Sequence, residues 1–244
     1  MCCVCPPPNP PPPPRAQSVL SALAHWSPVF GEAEFVPALA YPFVSLFQVD
    51  DLAAFETVMA VLLRWCGSWL STFPHPPIPV LNAVEQIITK FDPALMKHLG
   101  NVEVGSQTFA WSLLRSGFTE VLNKGEWLRL WDHLFTNSED PGLLLCAVAA
   151  YSVCNRNAIM GGKAKGEVEA FYRRQNAINM GEFLGIMYEI RGKCPADLLG
   201  GGGGATGSEG GDVLGSVLSG VDTVWPIPRG MYVRERSERL ASEH

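Results

Sequence analysis

Residues 52–69 read LAAFETVMAVLLRWCGSW, and in them Leu52, Phe55, Met59, Leu62, Cys66 and Trp69 recur at steps of three and four. That spacing gathers the apolar side chains on one stripe and predicts a helix of about five turns. Pro74, Pro76, Pro77 and Pro79 follow and close it, because proline lacks the amide proton a helix interior needs.

The same periodicity continues downstream. Val80, Val84, Ile87 and Ile88 mark a helix starting near Pro79, and Asp92-Pro93 reads as an N-cap with proline at the first helical position, opening a short helix to Leu99. Ser106 is expected to cap a segment bearing Phe109, Trp111, Leu114, Phe118 and Leu122. Asn123 and Glu126 have the spacing of a capping box ahead of Trp127, Leu128, Leu130, Trp131, Leu134 and Phe135. Asp140-Pro141 repeats the cap-plus-proline signal before residues 143–155, which are apolar on nearly all sides and so belong inside a bundle. Further helices are predicted near 164–177 and 180–191. With no sustained period-two alternation and no solenoid repeat, the expected fold class is all-α, an irregular multi-helix array.

Composition narrows the function. The 244 residues are 47% hydrophobic and 17% charged, enough for one sizeable core or two small ones. Eighteen Lys and Arg against 24 Asp and Glu give a net charge of −6 without a basic patch, which argues against nucleic acid or anionic lipid as partner. Mean hydropathy is +0.11, yet the longest apolar run, residues 143–151, falls short of the roughly 20 residues a membrane span needs. The amino terminus lacks a basic start followed by an apolar stretch, so no secretory signal is expected and the default compartment is the cytoplasm.

The chain divides at two low-complexity segments. Residues 1–15 form a Cys/Pro-rich tail in which PPPNPPPPP at 6–14 can only be extended polyproline, a tether or an SH3-type ligand. Residues 16–198 carry the helical pattern. A Gly-rich linker at 199–215 and an extension at 216–244 follow. The seven cysteines lack framework spacing: Cys66, Cys146 and Cys154 read as small buried hydrophobes, and Cys2, Cys3 and Cys5 lack a second ligand group at zinc-finger spacing.

Common catalytic constellations are absent from the sequence. His25, His75, His98, His133 and His244 form no metal-binding pair, the glycines at 161–162 and 200–211 lack the P-loop spacing, and no G-x-S-x-G elbow occurs. No cofactor, metal or catalytic residue is assigned. The tryptophans Trp65 and Trp69, Trp111, and Trp127 and Trp131 stand out, with core packing and an aromatic partner groove as alternative readings; Trp65, Trp69, Trp127 and Trp131 are the candidate partner contacts.

The order of motifs resembles a known family. WCGSWLSTFPHPP at 65–77, DPAL at 92–95 with His98-Leu99, SQTFAW at 106–111, FTEVL at 118–122 and EWLRLWD at 126–132 are similar to the second half of a TBC domain, the match running from about 16 to 195. Within that family, LSALAHWS at 20–27, LAYPFV at 39–44 and VAAYSVCNR at 148–156 resemble a branch with WD repeats and a coiled coil, found at centriolar satellites and ciliary bases.

The resemblance implies protein partners: a Rab-type GTPase, and centrosomal or ciliary scaffold proteins. TBC domains accelerate GTP hydrolysis on Rab proteins by supplying an arginine from I-x-x-D-x-x-R and a glutamine from Y-x-Q, the arginine offsetting charge on the transferred phosphoryl group. Here Arg15 is the only arginine before Arg64, no I-x-x-D-x-x-R occurs, and the segment expected to hold the glutamine, PVFGEAE at 28–34, contains none. The favoured expectation is therefore a non-catalytic scaffold. An active GTPase activator using Arg64, Arg115 or Arg129 is the alternative, and an incomplete chain whose first helices are missing is a third.

Overall fold

The computed structural model describes residues 14–195, within which twelve α-helices and one 3-10 segment occur and no strand. Helices α1 (Pro14–Trp26), α2 (Pro28–Glu32), α3 (Val36–Leu46) and α4 (Asp51–Trp65) pack on one another, α1 touching all three of the others. The 3-10 segment Gly67–Thr72 leads through the prolines to α5 (Ile78–Phe91), α6 (Pro93–Asn101) and α7 (Ser106–Arg115). After a tight turn come α8 (Lys124–Thr136), α9 (Leu143–Cys154), α10 (Arg156–Gly161), α11 (Lys165–Phe171) and α12 (Met180–Lys193).

Helix α9 is the hub. Residues 143–152 are all buried, as expected of a helix without a polar face, and α5, α7, α10 and α12 all pack against it. Polar groups inside are paired: the Tyr172 hydroxyl donates to Ser152 Oγ at 3.0 Å, and Asn176 Nδ2 donates to the Tyr151 hydroxyl oxygen at 2.9 Å. A second core of rings ties α3 and α4 to α8. Phe43 sits 4.8 Å from Trp131 and 5.0 Å from Trp127, and Trp65 sits 5.8 Å from Trp131. Aromatic contacts of this kind add about 0.5–1.5 kcal/mol each beyond burial.

Local signals explain several boundaries. Asp92 Oδ1 accepts from the Leu95 amide at 2.9 Å, capping α6. Asn123 accepts from the Gly125 and Glu126 amides while Glu126 accepts from the Asn123 amide at 3.0 Å, completing the predicted capping box. The Asn179 side chain caps α12 in a similar way.

Several expectations are corrected. The stripe from Leu52 to Trp69 is not one helix: α4 ends at Trp65, Gly67 opens a 3-10 segment, and Leu52 is 65% exposed. The segment after Ser106 also breaks, because α7 stops at Arg115 and both Gly117 (φ +55°) and Phe118 (φ +71°) are left-handed. Ser106 is the first helical residue and Gly105 the N-cap. Asp140 does not cap α9, whose N-cap is Gly142; its carboxylate pairs with Arg191 instead. Helix α1 opens at Pro14, inside the segment assigned to the tail, and Arg15 pairs with Asp51 of α4. Cys2, Cys3 and Cys5, the polyproline run up to Pro13, the Gly-rich linker and the extension lie outside the described residues.

Candidate functional site

Glu32 and Glu34, from segment 28–34 where the resemblance places a glutamine, line a cavity of about 490 Å³. Pro28 at the first turn starts α2, and Gly31 allows the helix to lie against α1: a Cβ there would meet Ala24 Cβ at 3.0 Å. Ala33 is extended (ψ 105°) and ends α2, so Glu32 and Glu34 flank a bend and Phe35 enters α3.

The floor is aromatic. Phe35 lies 5.4 Å from Trp69 and 5.7 Å from Trp111, and the two tryptophans are 5.4 Å apart, every pair edge-on. Trp69 arrives on the 3-10 segment. Phe73, Pro74, His75 and Pro76 continue the wall, held by the His75 amide donating to the Thr72 carbonyl at 2.8 Å. On the far side, Arg115 ends α7 and Glu120 follows the left-handed turn, with the guanidinium 3.6 Å from the carboxylate.

That turn is anchored from within. The Gly117 carbonyl accepts from Trp127 Nε1 at 2.8 Å and from Trp131 Nε1 at 3.2 Å, so two α8 tryptophans fix the loop joining Arg115 to Glu120. The cavity rim thus carries three carboxylates against one guanidinium. Arg115 is answered by Glu120, while Glu32 and Glu34, both exposed, have no ion-pair partner among the described residues.

The sequence-selected tryptophans are almost wholly buried. Trp65, Trp69, Trp127 and Trp131 are 2–4% exposed, because each ring completes the packing of neighbouring helices. Trp65 and Trp131 belong to the core. Trp69 edges the acidic cavity, and Trp127 edges a smaller recess of about 260 Å³ with Tyr41, Leu46 and Lys124. Sequence reasoning missed Glu32, Glu34, Phe35, His75 and Glu120 as cavity residues. The one available signal was the appearance of two glutamates within PVFGEAE.

The alternative finger arginines are dispersed. Arg64 pairs with Glu139 at 2.8 Å, Arg115 lies on the cavity rim, and Arg129 is exposed on α8. His98 contacts the Ile159 carbonyl at 3.1 Å and His133 contacts the Tyr188 hydroxyl at 2.8 Å. Among the described residues no group of three His, Cys, Asp or Glu could hold a metal, and no helix is long and apolar enough to cross a membrane. Burial pushes the Cys66 thiol well above its ordinary value, the Cys146 thiol up to about 12 and the Cys154 thiol up to about 11. These cysteines are packing groups and poor nucleophiles at neutral pH.

Comparison with known proteins agrees with the helical array. The Rab-GTPase-TBC domain family model matches residues 14–160. The chain is 41% identical over 182 residues to TBC1 domain family member 31 of Oryzias latipes, and over the same length 39% and 37% identical to those of Mus musculus and Homo sapiens. Each alignment covers 75% of this chain but only 17–18% of the relative. Among solved structures, the Ypt/Rab-GAP domain of Gyp1p superposes with a TM-score of 0.58 at 16% identity, covering 72% of this chain and 64% of that domain. The helices, their order and the matched motifs place this chain in the Rab-GTPase-TBC domain family.

Proposed function

We propose that this TBC domain works as a non-catalytic docking module that engages a Rab-type GTPase or a centrosomal or ciliary scaffold protein without accelerating GTP hydrolysis. One observation carries the reading: segment 28–34, expected to supply the family's glutamine, brings Glu32 and Glu34 to the cavity rim. A carboxylate accepts but cannot donate when ionised, and beside a nucleotide's terminal phosphate it adds negative charge where catalysis requires compensation. The 244 residues also contain no I-x-x-D-x-x-R. The place of action proposed with it, on the strength of the resemblance alone, is the cytoplasm, and within it the centrosome, centriolar satellites or the base of the cilium.

The test pairs binding with turnover on a panel of GTP-loaded Rab proteins. Binding without acceleration is the expected outcome. A dose-dependent acceleration would overturn it and favour the second reading, an active GTPase activator. That reading has one structural point in its favour, the position of Arg115 on the same cavity. An arginine finger is worth about 10³–10⁵ in rate, so Arg64→Ala, Arg115→Ala and Arg129→Ala would identify it directly.

A further inference from the structure

We propose that the cavity between α2, the 3-10 segment and α7 is a receptor for an arginine side chain presented by a protein partner. The surface around it is built for a cation in three respects. Its floor is lined by three mutually packed rings, Phe35 and Trp111 half-buried and Trp69 almost wholly buried, and an aromatic ring attracts a cation most strongly when the contact excludes water. Its rim holds Glu32 and Glu34 without ion-pair partners among the described residues. Its only arginine, Arg115, is already matched by Glu120 at 3.6 Å. The volume of about 490 Å³ falls within the roughly 300–1,000 Å³ of small-ligand clefts, leaving room for a guanidinium and part of its stem.

Arginine fits better than lysine. A planar guanidinium stacks on rings, carries a weaker hydration shell than an ammonium, and offers paired N–H groups to carboxylates. Glu32 and Glu34 lie on either side of the Ala33 bend and both line the cavity, so two carboxylates are available to such donors. The charge complementarity selects the occupant, a basic segment of a protein partner; an acidic peptide would meet like charge on the rim.

The inference rests on the docking reading only for the source of the side chain, and the experiment separates the two. The isotope-labelled full chain is titrated with the blocked peptide Gly-Arg-Gly, following the indole N–H signals of Trp69 and Trp111 by NMR. Saturable shifts at both indoles are expected. Replacing arginine by citrulline, which keeps the shape and removes the charge, should weaken binding at least tenfold, and raising the salt from about 0.05 to about 0.5 M should weaken it further. The double variant Glu32→Gln/Glu34→Gln should lose the shifts while its remaining spectrum is unchanged, since both side chains are exposed. Equal response to arginine and citrulline, shifts that persist in the double variant, or no saturable shift with millimolar peptide would each overturn the proposal. A positive titration with no Rab binding would leave the pocket standing and remove the GTPase as its partner.

Discussion

Replacing Gly117 with alanine tests whether the turn between α7 and α8 holds both the core and the cavity rim. Gly117 has φ +55°, and a Cβ there would meet Leu39 Cδ1 at 3.0 Å and Trp131 Cζ2 at 3.3 Å. Placing an L side chain in the left-handed region costs about 1–2 kcal/mol. Forcing an extra methyl against two packed side chains costs about 1–3 kcal/mol more, giving a total near 3 kcal/mol. For a domain of this size each kcal/mol lowers Tm by about 2–4 °C, so the expected drop is about 6–12 °C. Urea and thermal unfolding followed by circular dichroism would measure it. Gly185 provides the contrast: it is exposed in the middle of α12 with nothing within 4 Å of an added Cβ, and Gly185→Ala should stabilise by about 0.5–1 kcal/mol. A Gly117→Ala loss below about 1 kcal/mol, no larger than an average point mutation, would refute the reasoning. It would mean the turn relaxes, and that the contacts of the Gly117 carbonyl with Trp127 and Trp131 do not fix the loop.

Three further outcomes follow from named contacts. Trp65 Nε1 is buried without a hydrogen-bond partner among the described residues, whereas Trp127 Nε1 donates to Gly117; Trp127→Phe should therefore cost about 1 kcal/mol more than Trp65→Phe in urea unfolding. Asp92→Ala removes the α6 cap and the 2.6 Å contact with Arg156, a loss of at least about 1 kcal/mol, while Asp92→Asn, which keeps a capping oxygen, should recover most of it. Burial raises Cys146 and Tyr151 to about 12, so the folded state keeps protons that the unfolded chain releases from about pH 8.5 for thiols and about pH 10 for the phenol. Stability is then complete below about pH 8.5 and falls as pH rises toward 12, a decline that unfolding midpoints between pH 8 and 11 would register.

Signals confined to a single turn of chain were readable in advance. Asn123 and Glu126 close a capping box because both partners lie three residues apart, and α9 is buried because its sequence leaves no polar face. Asp140-Pro141 looked the same as Asp92-Pro93, yet its carboxylate went to Arg191, 51 residues away. That competition is invisible to a local pattern. Likewise the apolar stripes at 52–69 and 106–122 predicted long helices, and each was broken where tertiary packing required a turn, at Gly67 and at Gly117. The cavity was illegible for the same reason. It joins residues 32–38, 69–76 and 111–120, and no periodicity links the three. Periodicity identified the tryptophans as large apolar groups but not which edge of each ring would remain reachable.

Arg115 tests the two readings through two separate measurements, GTP turnover and arginine-peptide affinity. If it is a finger, Arg115→Ala abolishes GTPase acceleration. If the cavity receives a cation, Arg115 repels it, and Arg115→Ala strengthens binding. At a separation of about 8 Å, two unit charges interact by about 0.5 kcal/mol in bulk water and about 2 kcal/mol near a protein surface. Glu120, 3.6 Å from Arg115, cancels part of this while paired and becomes an additional attractive carboxylate once Arg115 is gone. A gain of about two- to tenfold in peptide affinity is the reasonable range, 1.4 kcal/mol corresponding to tenfold. Glu120→Gln reverses the logic: it frees the Arg115 charge toward the cavity and should weaken the same peptide. The pair of variants moves affinity in opposite directions by altering one salt bridge from either end, which a loss of packing at α7 would not do.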